Sequence, residues 1–111
     1  MNTITFDDFK KIDFRIGTVT QAEVFKEAKK PAYKLMVDLG GLGVKKSSAQ
    51  ITDFYKPEEL IGKQVLCVCN FSPRQIGPLM SEVLVTGFIL NEDKVVLAQP
   101  ERKIPNGTKL A

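Results

Sequence analysis

Apolar and polar positions along this chain change period several times, and each change marks an element. Phe6 and Phe9 are three apart in Thr5-Phe6-Asp7-Asp8-Phe9-Lys10-Lys11-Ile12. That spacing predicts one or two helical turns, with Thr5 as N-cap, Asp7 and Asp8 in the first turn and lysines at the end. From Phe14 the period becomes two. Phe14 and Ile16 share a face, Val19 is out of phase, and Ala22 and Val24 return to phase. Such slips predict a long, bent strand with its bulge or sharp coil at Gly17. In the next strand Tyr33, Leu35, Val37 and Leu39 point one way, and Lys34, Met36 and Asp38 the other. In Val44 to Ile51, Ala49 and Ile51 face the core, which leaves Lys46, Ser48 and Gln50 on the opposite face. Lys56-Pro57-Glu58-Glu59-Leu60-Ile61-Gly62 predicts a short helix, with Pro57 at its first position and Gly62 beyond its end.

The remainder alternates strands and turns. Gln64 to Asn70 is apolar on both faces and is expected inside a sheet. Phe71 to Pro78, with two prolines, is expected as a loop. Ser81 to Leu90 is expected as one long strand, Asn91 to Lys94 as a turn, and Val95 to Ala98 as a short final strand. Five or six strands with one short helix between the third and fourth, and no βαβ alternation, predict an all-β fold. The architecture is a five-stranded Greek-key barrel, the OB-fold. The expected organisation is a single domain, with an N-terminal helical extension over 1–12, the barrel over 13–98 and a C-terminal extension over 99–111. Pairing of the second and third strands would create a polar strip of Lys34, Met36, Lys46, Ser48 and Gln50 on the face where this fold binds ligands.

Composition narrows the chemistry. The 111 residues contain no histidine, which excludes Ser-His-Asp and Cys-His nucleophilic sites and histidine-ligated metals. No acid/base pair, nucleophile constellation or phosphate-cradling loop appears, so no catalytic residue, cofactor or metal is expected. Sixteen Lys and Arg against 13 Asp and Glu give a net charge of +3, which permits an anionic partner without demanding one. Cys67 and Cys69 are two apart on a strand and read as reduced core thiols. The N-terminal residues lack the pattern of a signal peptide, and no apolar run reaches the ~20 residues of a membrane helix. A cytoplasmic protein without membrane insertion is the expectation.

Several residues have both a structural and a functional reading. Arg15 sits two residues from Asp13 and forms either an ion pair with it or a ligand contact. Lys45 and Lys46 either grip phosphates or keep an edge strand soluble. Adjacent Ser47 and Ser48 contribute little packing and suggest a surface that another backbone approaches closely. Asn70, Phe71 and Arg74 together offer an amide, a ring and a guanidinium, although Phe71 also suits a core. Ser81 and Glu82 open the next strand near Asn70 and would complete one site. Phe6, Phe9, Ile104 and Leu110 lie outside the barrel, and burial between two subunits is the expected use of them. An exposed peptide-binding patch is the alternative.

The blocks Asp13-Phe14-Arg15-Ile16-Gly17, Ser47-Ser48-Ala49-Gln50-Ile51, Pro57-Glu58-Glu59-Leu60-Ile61-Gly62, Asn70-Phe71-Ser72-Pro73-Arg74, Ser81-Glu82-Val83-Leu84 and Pro105-Asn106-Gly107-Thr108 read together. They resemble the CsaA family of export-related chaperones, a branch of the tRNA-binding OB-fold superfamily. The resemblance covers nearly the whole chain. It implies a homodimer joined through the segments flanking the barrel, unfolded or precursor polypeptides as clients, and the translocation ATPase SecA as a further partner. The tRNA-binding relatives usually carry Ser-Glu-Gly-Met where this chain has Ser81-Glu82-Val83-Leu84. The substitution removes a flexible backbone position and makes the site bulkier and more apolar.

Two functions follow. A peptide-binding chaperone would use Met36, Phe71, Val83 and Leu84 as apolar contacts, and Lys34, Ser48, Gln50 and Asn70 as polar ones. A tRNA-binding module would use Arg15, Lys34, Lys45, Lys46 and Arg74 on phosphates, with Ser48, Asn70 and Ser81 beside them.

Overall fold

A computed structural model describes residues 1–111. Helix α1 (Phe6–Lys10) begins where Thr5 can cap it. The Thr5 hydroxyl accepts from the Asp8 amide at 3.0 Å, and the Asp8 carboxylate accepts from the Thr5 amide at 3.2 Å. This reciprocal box satisfies two amides that a short helix would otherwise leave bare. Phe9 packs its ring 6.1 Å from Phe14 and 6.3 Å from Phe6, so the helix lies against the start of the first strand.

The barrel is a five-stranded antiparallel sheet in the order β3-β2-β1-β4-β7. Its strands are β1 (Phe14–Val24), β2 (Tyr33–Asp38), β3 (Val44–Ala49), β4 (Gln64–Val68) and β7 (Leu84–Val85). Strand β1 is long enough to serve two neighbours. Its first half pairs with β4 and its second with β2. The irregularity in β1 falls between Val19 and Gln21, not at Gly17. Gly17 has a different task. A Cβ there would lie 2.7 Å from Leu39 Cδ2 and 2.9 Å from the Asp38 carbonyl. The glycine therefore lets β2 cross β1 closely, and the slip in phase falls three residues later, around Thr20.

Inward residues form one core that includes Leu35, Val37, Leu39, Val65 and Cys67. Helix α2 (Pro57–Leu60) lies between β3 and β4, as the spacing predicts, and its single buried residue, Leu60, belongs to that core. Cys67 is buried and Cys69 half-buried, both as free thiols. Burial pushes the Cys67 thiol up to about 12, which keeps it protonated and unreactive.

Two segments differ from expectation. Ser81 to Leu90 is not one strand. It breaks after β7, and the chain resumes as β8 (Gly87–Ile89), which pairs with β9 (Val95–Leu97) in a separate hairpin. Thr86 makes the crossing. Its amide and hydroxyl both donate to the Leu66 carbonyl, at 2.9 and 2.7 Å, while its own carbonyl accepts from Ala98. The expected two-proline loop instead contains a hairpin of β5 (Arg74–Ile76) and β6 (Leu79–Ser81). It turns at Gly77, whose φ of 54° lies in the left-handed region that glycine adopts at no steric cost. The C-terminal segment returns to the barrel and runs along β1. The Ile16 amide donates to Thr108, Gly107 donates to Ile16, and Leu110 donates to Phe14, at 2.7–3.0 Å.

Candidate functional site: the groove at the barrel seam

Closing a five-stranded barrel requires β3, at one edge of the sheet, to meet the chain leading into β7 at the other. They meet without a regular ladder. In an antiparallel strand the N–H and C=O of one residue point to the same side, and in β3 those of Lys46 and Ser48 point at this seam. The Lys46 carbonyl accepts from Glu82 at 2.8 Å and from Val83 at 3.4 Å. The two amides end on side chains. Lys46 donates to Glu82 Oε1 at 3.1 Å, and Ser48 to Ser81 Oγ at 3.3 Å. Ser81 and Glu82 thus satisfy a strand edge that would otherwise be bare.

Along this seam runs a groove of about 830 Å³. Ser48 and Gln50 form one wall, and Ser81, Glu82, Val83 and Leu84 the other. Phe71 and Arg74 enter from the β4–β5 connection. Eight of the residues expected at the site therefore meet here. Phe71 is 59% exposed and Leu84 47%, so the groove presents apolar surface to solvent. Its further apolar lining comes from Ile76, Ile89 and Val95, which sequence reasoning did not single out. Ile76 precedes Gly77-Pro78, and the two prolines of that segment signal a loop rather than a strand. Ile89 and Val95 reach the groove only because the chain bends at Thr86.

Strands β2 and β3 pair and share the outer face that the alternation predicts; the register places Lys34 opposite Ser48 and Met36 opposite Lys46. Lys34, Met36 and Lys46 line a smaller, separate depression of about 420 Å³ together with Ile61 and Leu79. Three of the cations considered for phosphate binding already hold carboxylates. Arg15 Nε is 2.9 Å from Asp13, Lys34 Nζ is 3.3 Å from Glu23, and Lys45 Nζ is 3.8 Å from Glu82. The Arg15 guanidinium holds the Asp13 carboxyl below the usual carboxylate range, and Asp13 in turn raises Arg15. Lys46 and Arg74 have no ion pair.

Two further expected ligand residues lie outside both depressions. Ser47 faces the core and is fully buried, with an unpartnered hydroxyl. It lies in phase with Ala49 and Ile51, so it cannot share a surface with Ser48. Asn70 does not line the groove. Its amide donates to the Lys11 carbonyl at 2.7 Å, and its oxygen accepts from the Asp13 amide at 2.9 Å. That clamp fastens the link between α1 and β1 to the end of β4.

Of the residues expected between subunits, Phe6 is 71% exposed, Leu110 is exposed, and Phe9 is half-covered by its neighbouring rings. Ile104 stands apart. It lines a polar cleft of about 710 Å³, where Gln64 clamps its backbone by accepting from the Ile104 amide at 3.0 Å and donating to its carbonyl at 2.7 Å.

The profile of the family described as "putative tRNA binding domain" matches residues 14–109. Among curated proteins, the methionine–tRNA ligase of Methanococcoides burtonii is 41% identical over 105 residues. The match takes in 95% of this chain but 15% of that ligase, so the similarity concerns one domain of a much longer enzyme. Among solved structures, the chaperone CsaA from Bacillus anthracis superposes with a TM-score of 0.95 at 52% identity, covering 99% of this chain and 100% of that one. The CsaA chaperone protein from Picrophilus torridus superposes with a TM-score of 0.92 at 49% identity, over 98% and 100% of the two chains. On the family match and the two superpositions, this protein belongs to the tRNA-binding domain family, and within it to the CsaA branch.

Proposed function

We propose that this protein is a non-catalytic chaperone that captures extended, partly apolar segments of unfolded or precursor polypeptides in the seam groove. The observation that carries this reading is the groove's exposed apolar lining, with Phe71 and Leu84 at its mouth. A soluble domain gains nothing from leaving such rings in water unless something covers them. Peptide side chains would bury against Phe71, Val83, Leu84 and Ile89, while Ser48, Gln50 and Arg74 offer polar contacts to main chain and acidic groups. On this reading the translocation ATPase SecA is the natural recipient of the client.

Binding of tRNA is the second reading, and the family profile favours it. Against it stand the ion pairs of Arg15, Lys34 and Lys45, because a phosphate must displace a carboxylate at each. Lys46 and Arg74 remain free to engage phosphates. Salt separates the two. Binding that neutralises phosphates falls with a log–log slope of roughly −0.7 to −0.9 per contact, whereas apolar capture stays flat or strengthens slightly. Titrating reduced, carboxymethylated lactalbumin and bulk tRNA against the protein at low and moderate salt tests both. Salt-insensitive lactalbumin binding, weakened roughly ten-fold by Phe71→Ser, is the expected outcome. Binding of tRNA alone, steep in salt and lost in Lys46→Ala, would refute the chaperone reading.

The active unit is a homodimer on this proposal, joined where Phe6, Phe9 and Leu110 leave apolar surface beside one another's segments along β1. Sedimentation over a range of concentrations tests it, and a monomer throughout would remove that role.

A further inference from the structure

The seam holds itself together with the wrong kind of groups for a permanent closure. In the other strand pairs of the barrel, main-chain donors meet main-chain acceptors, with one register shift in β1. At the outer edge of β3, the amides of Lys46 and Ser48 are met by side-chain oxygens. Two of the seam's contacts, Ser48 to Ser81 at 3.3 Å and Val83 to Lys46 at 3.4 Å, are long against the ~2.9 Å usual for N–H···O bonds. Two residues further along the same edge, the Gln50 amide has no partner. It lies with Ser48 on the wall of the groove. The segment that covers them, β6 and Ser81, belongs to a hairpin that pairs only with itself and is exposed along most of its length.

We propose that Ser81 is a displaceable stand-in, and that the client's extended backbone takes its place as an added strand on the Ser48–Gln50 edge of β3. This rests on the polypeptide reading of the groove and specifies how the client is held. A client carbonyl would accept from Ser48 in place of the Ser81 hydroxyl, and the client's next groups would engage the Ser48 carbonyl and the Gln50 amide. Main-chain pairing of this kind is indifferent to sequence. Alternate side chains of the added strand would then point toward Phe71 and Leu84, which sets a preference for apolar residues at every second position. A nucleic acid has no equivalent row of alternating donors and acceptors at strand spacing, so the edge itself distinguishes the occupants.

The test uses the intact protein with reduced, carboxymethylated lactalbumin as the unfolded probe. Three versions are compared: the unaltered chain, Ser81→Ala, and a double variant, Ser48→Cys with Ser81→Cys, whose disulfide pins the seam shut under oxidation. Free-thiol titration and a thermal melt establish that the disulfide has formed and that the fold is retained. The proposal expects lactalbumin to slow exchange of the Ser48 and Gln50 amides by roughly ten-fold. Ser81→Ala should bind roughly three-fold more tightly, because the displaced hydroxyl no longer competes. The oxidised double variant should lose binding, and reductant should restore it. Equal lactalbumin binding by the oxidised and reduced double variant, with both amides unprotected, would overturn the added strand while leaving the polypeptide reading intact. Failure of lactalbumin to bind the unaltered chain would overturn the polypeptide reading, and the added strand with it.

Discussion

Strand β1 and strand β3 belong to the same sheet, yet their free edges are treated in opposite ways. Around Phe14 to Val19, β1 is bonded on one side to β4 and the α2–β4 turn, and on the other to the returning C-terminal segment. Its contacts are main chain to main chain, and its side chains reach the buried core. At the outer edge of β3 the Lys46 carbonyl meets main-chain amides, but both amides, of Lys46 and Ser48, are met only by side chains, and the edge borders an open groove. Stability is concentrated on the β1 side and binding surface on the β3 side. The division follows from a cost. A fully paired edge cannot accept a partner, and an unpaired edge contributes little to the fold.

Replacing a core residue near the sealed side should have the largest effect. Leu60→Ala empties a site with no exposure and should lower stability by about 2–5 kcal/mol in chemical denaturation. The variant should still bind clients wherever it remains folded. A loss of binding in folded protein would break the separation of the two regions. Asn70→Ala comes next. It removes both bonds of the clamp between α1, β1 and β4 and should cost about 1–2 kcal/mol, with client affinity unchanged. If affinity falls instead, Asn70 acts at the site after all.

A smaller change of opposite sign is expected at Ser47. Its buried hydroxyl has no partner, so Ser47→Ala should raise stability by about 1 kcal/mol. Unchanged or lower stability would mean that the hydroxyl finds a partner in solution. The smallest effect concerns acid. Asp13 is held below its usual range chiefly by the hydrogen bond from Arg15. A carboxyl depressed in the folded state contributes stability that is present above its unfolded value of about 4 and is lost as pH falls through the folded value. Asp13→Asn should therefore flatten the melting-temperature profile below about pH 4 and lower it slightly near neutrality, where the ionised Asp13 contributes its stabilisation, so that the two chains converge in acid. An identical acid limb in the variant would assign that limb to other carboxylates.

The legible parts of this protein are those in which neighbouring residues suffice. Alternation in Tyr33 to Leu39 announced which side chains are buried, and Pro57, the two glutamates and Gly62 bracketed α2. The capping box needed only Thr5 and Asp8. That Lys34, Met36, Lys46 and Ser48 share one face of the paired β2 and β3 also followed from period and order, and the structure adds their register. What misled was local plausibility. Ser81 to Leu90 is apolar enough for one strand, but the chain turns at Thr86 because Leu66, twenty residues earlier, captures its amide and hydroxyl. Asn70 resembled a ligand residue because its partners, Lys11 and Asp13, lie nearly sixty residues away in the chain.

By itself, then, the sequence determined strands β1 to β4 and β9, the short helix, the barrel class and the alternation along β3, because each depends on periodicity over a few residues. Only the tertiary structure decided which of those surfaces stays open. Whether an edge amide meets a carbonyl, a serine hydroxyl or nothing depends on where a distant segment comes to rest when the barrel closes. That placement is set by long-range pairing, which no stretch of neighbouring residues encodes.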